Sequence, residues 1–335
     1  MNQSAQPEAG TTPDVARPAA SSRLRAALTI QPGALGAVAV PMRLELAALA
    51  APPVFCALAL LFVQGAPINW LVAGGELLAA MFALVGIAAL ASSHRLPPTA
   101  EGRRHAATTL GAALLALAAL FALPILLGGL LASLLALALG LVAFLLYGIK
   151  SVRPRIAPLD ELLTPLCLGA GLFCLTILAQ GQRFTRAEWL VAGALGGMAF
   201  AVVAGLRLRG ARVADRDAAQ VVDDVHTPRT LTTVIGSRGA RALVGIALLA
   251  SYLVVVVIAV PRGGWPGGLL ALTSAPLALL GFSGLAASAY APARRVAAHQ
   301  LLRAYLWYGL ALAVGLTLTL IAQQVIHVTM QTLGG

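Results

Sequence analysis

The chain has 335 residues, of which 59% are hydrophobic and only 10% are charged, and its formal net charge is +11. Soluble domains usually carry about 25% charged residues, so this composition excludes an ordinary soluble enzyme or binding domain. The basic residues are spread along the chain and no aromatic platform accompanies them, which excludes nucleic-acid binding as well.

Residues 1–30 are rich in Ala, Pro, Ser and Thr. They contain no apolar core with a cleavage motif, so they do not resemble a signal peptide. Such a composition buries too little apolar surface to fold, and we therefore expect a disordered cytoplasmic tail. Residues 31–335 are expected to form a single transmembrane domain.

Nine apolar stretches follow this tail, and each matches the roughly twenty residues that a helix needs to cross a bilayer. Within lipid every backbone polar group needs an internal partner, so these stretches are predicted to be helices. The predicted fold class is all-α, a polytopic membrane protein with nine transmembrane helices. The expected spans are 43–64, 69–91, 107–126, 128–148, 161–180, 188–208, 242–260, 267–289 and 304–327.

The positive charges fall in alternate gaps between these spans. Of the 23 Lys and Arg residues, only Arg183, Arg186 and Arg262 would lie on the second side. Short loops rich in Lys and Arg stay in the cytoplasm, so the pattern predicts a bacterial inner-membrane protein with its N-terminus inside and its C-terminus outside. Membrane lipids are the partners that such a basic surface predicts.

The gap at 209–240 is the largest, and it is the only predicted loop with room for structure of its own. Four of the chain's twelve carboxylates lie in it: Asp215, Asp217, Asp223 and Asp224. A loop of this length is usually functional or disordered. Both readings stay open here, because the acids could hold a metal ion or pair with neighbouring arginines.

One carboxylate, Glu76, lies inside the second predicted span. Ionisable groups at such positions are costly and are often functional. Since Glu76 is nearer the outer end of that span, a side chain that extends to the membrane surface, or one that is simply protonated, is an equal alternative.

Several short motifs resemble the UbiA superfamily of intramembrane prenyltransferases, and most closely its branch that acts on 1,4-dihydroxy-2-naphthoate. The resembling segments are 69–71 (Asn-Trp-Leu), 145–147 (Leu-Leu-Tyr), 158–162 (Pro-Leu-Asp-Glu-Leu), Gly169, Thr176, 180–181 (Gln-Gly), 229–231 (Arg-Thr-Leu) and 234–241 (Val-Ile-Gly-Ser-Arg-Gly-Ala-Arg). The resemblance covers residues from about 40 to 290 and implies a nine-helix bundle with a central lipid-facing cavity.

The resemblance also implies a site for a prenyl diphosphate held through Mg²⁺ by two Asp-rich motifs, since carboxylate oxygens suit that ion. The metal ligands that it implies are Asp217, Asp223 and Asp224. The candidates for contacts to the diphosphate or a lipid phosphate are Lys150, Arg216, Arg229 and Arg238, and the favoured alternative is that these charges only orient the chain in the membrane. Tyr147 and Glu76 are candidates for the cavity wall, although Tyr147 could equally be an interfacial anchor.

The first Asp-rich motif is degenerate in this chain. The family's Asn and two Asp at the end of the second span correspond to Ala88, Ser92 and Arg95. An Arg at such a position repels a divalent cation. The second motif is kept only in part, because Ala219 and Pro228 stand where the family has an Asp and a Lys.

Three functions are consistent with these residues. The first is a relative that has lost or reduced catalysis and binds an isoprenoid lipid or quinone, or serves as an accessory subunit of a membrane complex. The second is an active prenyltransferase with one Mg²⁺ cluster acting on an isoprenoid diphosphate, and the third is an unrelated polytopic transporter. We favour the first, because chemistry that needs two metal clusters should not survive the loss of one, unless Glu101 or Glu76 substitutes for the missing acids.

Overall fold

The computed structural model describes residues 44–93, 101–147, 162–218, 231–260, 265–287 and 291–334. Within these ranges every regular element is a helix, and no strand occurs. Seven helices are long and apolar enough to cross a membrane, and two shorter apolar helices cover 47–63 and 130–143. The chain is therefore a helical, multi-pass membrane protein.

Nine α-helices lie within the described ranges. In chain order they are α1 (Ala51–Val63), α2 (Trp70–Ser93), α3 (Glu101–Ala122), α4 (Leu130–Tyr147), α5 (Leu172–Ala179), α6 (Arg186–Ala218), α7 (Leu231–Ala259), α8 (Ala275–Ala287) and α9 (Ala291–Gly334). Segments of 3₁₀-helix adjoin three of them, at Leu44–Ala50, Leu123–Gly128 and Pro266–Ser274, and a π-helix, Leu166–Gly171, leads into α5.

Each helix overlaps one predicted span, but several run beyond the apolar stretch that predicted them. Helix α6 continues to Ala218 and α9 begins at Ala291, thirteen residues before its predicted start. Hydropathy marks only the part of a helix that lies in lipid, whereas the hydrogen-bond ladder can continue into the headgroup region. Both ends of the predicted loop at 209–240 are accordingly helical.

Helix α9 occupies the middle of the bundle. It packs against α1, α6, α8 and the 3₁₀-helix at Pro266–Ser274. Tyr305 and Tyr308 are fully buried on it. The Tyr305 hydroxyl donates to the Leu49 carbonyl at 3.2 Å, and the Tyr308 hydroxyl donates to the Ser251 carbonyl at 3.1 Å. Each buried phenol thus has the acceptor that an apolar interior requires.

A pair of glycines brings α9 against the neighbouring 3₁₀-helix. A Cβ atom on Gly315 would overlap the carbonyl group of Gly267. Next to this contact, the Gly267 backbone N–H donates to the Thr319 hydroxyl at 2.9 Å. Small residues at helix contacts let backbones approach closely within a membrane, where packing holds helices together.

At the opposite end of the bundle, arginines bind backbone carbonyls of neighbouring helices. The Arg294 guanidinium of α9 donates to the Leu208 carbonyl of α6 at 3.3 Å. The Arg241 guanidinium of α7 donates to the Ala286 carbonyl of α8 at 2.7 Å. These arginines therefore connect helices in addition to any role in orienting the chain.

Candidate functional site

Two helices end close together in the same kind of glycine turn. Gly65 follows α1 with φ of 70°, and Gly181 follows α5 with φ of 72°, a conformation that glycine adopts without strain. After α1, the Ala66 N–H donates to the Leu61 carbonyl; after α5, the Gln182 N–H donates to the Ile177 carbonyl. Both are Schellman motifs, which stop the helix and turn the chain sharply.

A side-chain amide joins the end of α5 to the loop that follows α1. Gln180 Oε1 accepts a hydrogen bond from the Asn69 backbone N–H at 2.7 Å, and Gln180 Nε2 donates to the Asn69 carbonyl at 3.2 Å. The Asn69 Oδ1 atom in turn accepts from the N–H groups of Leu71 and Val72, which caps the start of α2.

The carboxylate of Glu188, at the start of α6, is bound to the end of α1. It is fully buried. Its Oε1 atom accepts from Gln64 Nε2 at 2.8 Å, and its Oε2 atom accepts from the Thr185 backbone N–H. The Thr185 hydroxyl accepts from the Glu188 N–H at 3.4 Å. Thr185 and Glu188 thus form a capping box, and Gln64 attaches it to the end of α1.

Glu76 lies deeper in the bundle, seven residues along α2 from Asn69, or about 10 Å at 1.5 Å per residue. It is only 1% exposed. The Thr176 hydroxyl of α5 is hydrogen-bonded to Glu76 Oε1 at 2.9 Å, while Glu76 Oε2 has no hydrogen-bond partner among the described residues. This burial does not fit the alternative of a carboxylate that extends to the membrane surface.

These side chains form three hydrogen-bonded pairs, Gln64 with Glu188, Asn69 with Gln180 and Glu76 with Thr176, and the last pair lies furthest from the helix ends. We use the name polar cluster for Gln64, Asn69, Glu76, Thr176, Gln180 and Glu188. The apolar residues beside its deeper part belong to two small packed groups, one containing Val54, Leu58 and Ala73 and the other containing Val72, Leu175 and Ala179. A buried carboxyl oxygen without a partner in such surroundings is costly, and it marks this cluster as the candidate site.

The structure separates Glu76 from the degenerate first motif. Ala88 lies twelve residues further along α2, about 18 Å at the usual helical rise. Glu76 therefore cannot replace the missing carboxylates of that motif. Ala88 also offers no oxygen ligand, so this end of α2 does not fit Mg²⁺ in the way that the resemblance implies.

The other predicted site residues are described only in part. Arg238 is exposed, two residues after the kink at Gly236, where φ is 74°. Four more of them lie in described helices, but only their backbone is described: Ser92, Tyr147, Arg216 and Asp217. The remaining positions lie outside the described residues: Arg95, Lys150, Asp223, Asp224 and Arg229.

Among the described side chains, no three His, Cys, Asp or Glu residues come together to hold a metal ion. The acids at 223 and 224 are not among those side chains. The predicted metal set of Asp217, Asp223 and Asp224 therefore stays a prediction.

Sequence reasoning identified Glu76 but missed Glu188 and Gln64. The signal for Glu188 was present, because Thr185-Arg186-Ala187-Glu188 has the spacing of a capping box directly before an apolar stretch. Nothing in the sequence indicates its partner Gln64, which is 124 residues away.

No protein-family model matches the chain, and no curated protein matches it significantly. The resemblance to the UbiA superfamily therefore rests on the motifs given above.

Proposed function

We propose that this protein is a UbiA-like membrane protein that binds an isoprenoid lipid or quinone and has lost prenyl transfer. The observation that carries the proposal is the buried Glu76 carboxyl group, with one oxygen unpartnered among the described residues. Ionisable groups inside a membrane bundle are rare, and they commonly mark a ligand or ion site. A ring head group bound there would place its isoprenoid tail against the apolar helices or in lipid.

We propose nine spans, with the N-terminus in the cytoplasm and the C-terminus outside, in a bacterial inner membrane. The seven long apolar helices and the two shorter ones each overlap a predicted span, which supports this count. The charge distribution supports the orientation. In this arrangement the polar cluster lies toward the outer surface, and the basic loops with the acidic 215–224 segment lie inside.

The loss of catalysis is supported by the inner end of α2. The resemblance implies carboxylates near residues 88–95, and the chain has Ala88, Ser92 and Arg95 there. A diphosphate leaving group needs cations to stabilise its developing charge, so a site that cannot hold its first metal cluster loses the main catalytic contribution.

Lipid analysis of the purified protein tests the binding function. The protein is extracted in a mild detergent, washed and analysed for bound lipid by mass spectrometry, with an unrelated multi-pass protein from the same membranes as the control. We expect an isoprenoid lipid or quinone at near-stoichiometric amount. An amount of isoprenoid lipid or quinone no higher than in the control would overturn the proposal. Detection of ordinary phospholipid alone would overturn it as well.

An enzymatic assay tests the loss of catalysis. Membranes containing the protein receive a radiolabelled prenyl diphosphate, Mg²⁺ and either a naphthoate or a hydroxybenzoate acceptor. We expect no prenylated product above that of control membranes. Product that disappears in Asp223→Ala would show that the chain is an active prenyltransferase with a single metal cluster.

A further inference from the structure

We propose that Glu76 and Thr176 form a head-group site that selects a ring hydroxyl, so that the protein binds a quinol in preference to the corresponding quinone. This inference rests on the proposed function and specifies the ligand's redox state. It depends on which atoms carry protons in the buried hydrogen-bond chain from Glu76 through Thr176 to the Leu172 carbonyl group.

The Thr176 hydroxyl has two oxygen neighbours but only one proton. Its Oγ1 atom is 2.9 Å from Glu76 Oε1 and 2.9 Å from the Leu172 carbonyl oxygen. If Glu76 is ionised, the hydroxyl can satisfy only one of these acceptors. If Glu76 is protonated on Oε1, the carboxyl donates to Thr176 and Thr176 donates to Leu172, so both contacts are hydrogen bonds.

The protonated arrangement also suits the surroundings of Glu76. The side chain is 1% exposed, and Val72 and Ala73, about one turn before it on α2, are buried and apolar. A neutral carboxyl group costs much less to bury in such a place than an unpaired charge does. The proton is therefore assigned to Oε1, on the side that faces Thr176.

This assignment makes Glu76 Oε2 a carbonyl-type acceptor. It has no donor among the described residues, although it is almost completely buried. A buried acceptor of this kind is stabilised by a ligand that brings its own O–H group. A quinol ring offers hydroxyl donors, whereas the oxidised ring offers only carbonyl oxygens, which repel another acceptor.

Binding of short-chain quinone and quinol analogues to the purified protein tests this inference. Binding is measured anaerobically, with the ring kept reduced by dithionite or left oxidised, and the retained ligand is quantified by chromatography. For the wild-type protein we expect the quinol to bind about tenfold more tightly than the quinone, the scale of one buried hydrogen bond. A polyprenol of similar length is included, because an aliphatic alcohol also carries a hydroxyl group.

Two substitutions at Glu76 test whether the ligand needs the acceptor oxygen or the carboxyl group itself. In Glu76→Gln, the amide NH₂ can donate to Thr176 while the amide oxygen accepts from the ligand, so quinol binding should stay within about threefold of wild type. Glu76→Leu removes the acceptor, and we expect about a tenfold loss of quinol affinity with little change for the quinone. Thermal unfolding of each variant establishes that it is folded.

Thr176→Val gives an independent measurement. It keeps the shape of the side chain and removes the hydroxyl group that holds the carboxyl proton on Oε1. The proton can then move to Oε2, so the preference for the quinol should fall or reverse. An unchanged preference in this variant would overturn the inference.

The outcomes for the two proposals are distinguishable. Equal binding of both redox forms by the wild-type protein, or a polyprenol that binds as tightly as the quinol, would overturn the redox selection while lipid binding stands. Absence of binding by every isoprenoid compound would overturn the proposed function itself.

Discussion

The side-chain amide of Gln180 pairs with the backbone of Asn69 through two hydrogen bonds, of 2.7 Å and 3.2 Å. These residues are 111 positions apart, at the end of α5 and the start of α2. The pair holds the two helices side by side at that end, and Thr176, one turn before Gln180 on α5, meets Glu76, two turns after Asn69 on α2. The position of the candidate site therefore depends on this contact at the helix ends.

Removal of the amide should destabilise the bundle at this point. Gln180→Leu keeps the approximate volume but leaves the Asn69 N–H without its acceptor, and we expect a loss of about 1–3 kcal/mol. The measurement is the thermal unfolding midpoint in detergent, with Gln182→Leu in the same turn as the control. Equal midpoints for the two variants would contradict a structural role for the pair.

Two substitutions of Glu188, in the capping box of α6, should reduce the stability of the protein to different extents. Glu188→Ala removes the acceptor for both the Thr185 N–H and Gln64 Nε2 and should cost about 1–2 kcal/mol. Glu188→Gln keeps an oxygen for Thr185, and Gln64 can turn its own amide to match, so this variant should be closer to wild type. Thermal unfolding of the two variants in parallel checks the order, and a glutamine variant as unstable as the alanine variant would show that the charge itself matters.

The close approach of α9 to the Pro266–Ser274 segment should not tolerate a methyl group. Gly315→Ala would place a Cβ atom against the Gly267 carbonyl, and we expect a destabilisation of about 1–3 kcal/mol from overpacking. Gly193→Ala is the matched control, since a Cβ at this exposed position of α6 meets no atom within 4 Å. The control should be neutral or slightly stabilising, because alanine favours helix. Yield of monodisperse protein and the unfolding midpoint both report the effect.

The proposed orientation predicts which surface cysteines react from outside the cell. Cys56, Cys167 and Cys174 are free thiols and are first replaced by alanine. In that background Arg183→Cys should react with a membrane-impermeant maleimide on intact cells, and Arg103→Cys should react only after the cells are opened. Both arginines are exposed, so accessibility within the protein does not bias the comparison. The reverse pattern would invert the topology.

Much of the helical layout could be predicted from the apolar stretches, because burial in lipid requires both the length and the composition of each span. Glu76 could be recognised as a candidate for the same reason, since a charge-bearing residue in such a stretch is conspicuous. The partners Thr176, Gln180 and Gln64 could not be assigned, because their hydrogen bonds connect residues about a hundred positions apart and depend on how the helices pack. The last part of α6 and the first part of α9 were also missed, since hydropathy does not register a helix that continues beyond lipid.

The π-helix at Leu166–Gly171 sets the rotation of everything that follows it in α5. Its wider turn accommodates one residue more than an α-helical turn does, and Gly169 within it lies against the backbone of α6, where a Cβ would come within 2.7 Å of Gly196. The wider turn thus absorbs a residue that would otherwise rotate the downstream face by about 100°. Straightening this segment into a regular α-helix without removing a residue would turn Thr176 away from Glu76, and would uncouple the two helices without altering any member of the polar cluster.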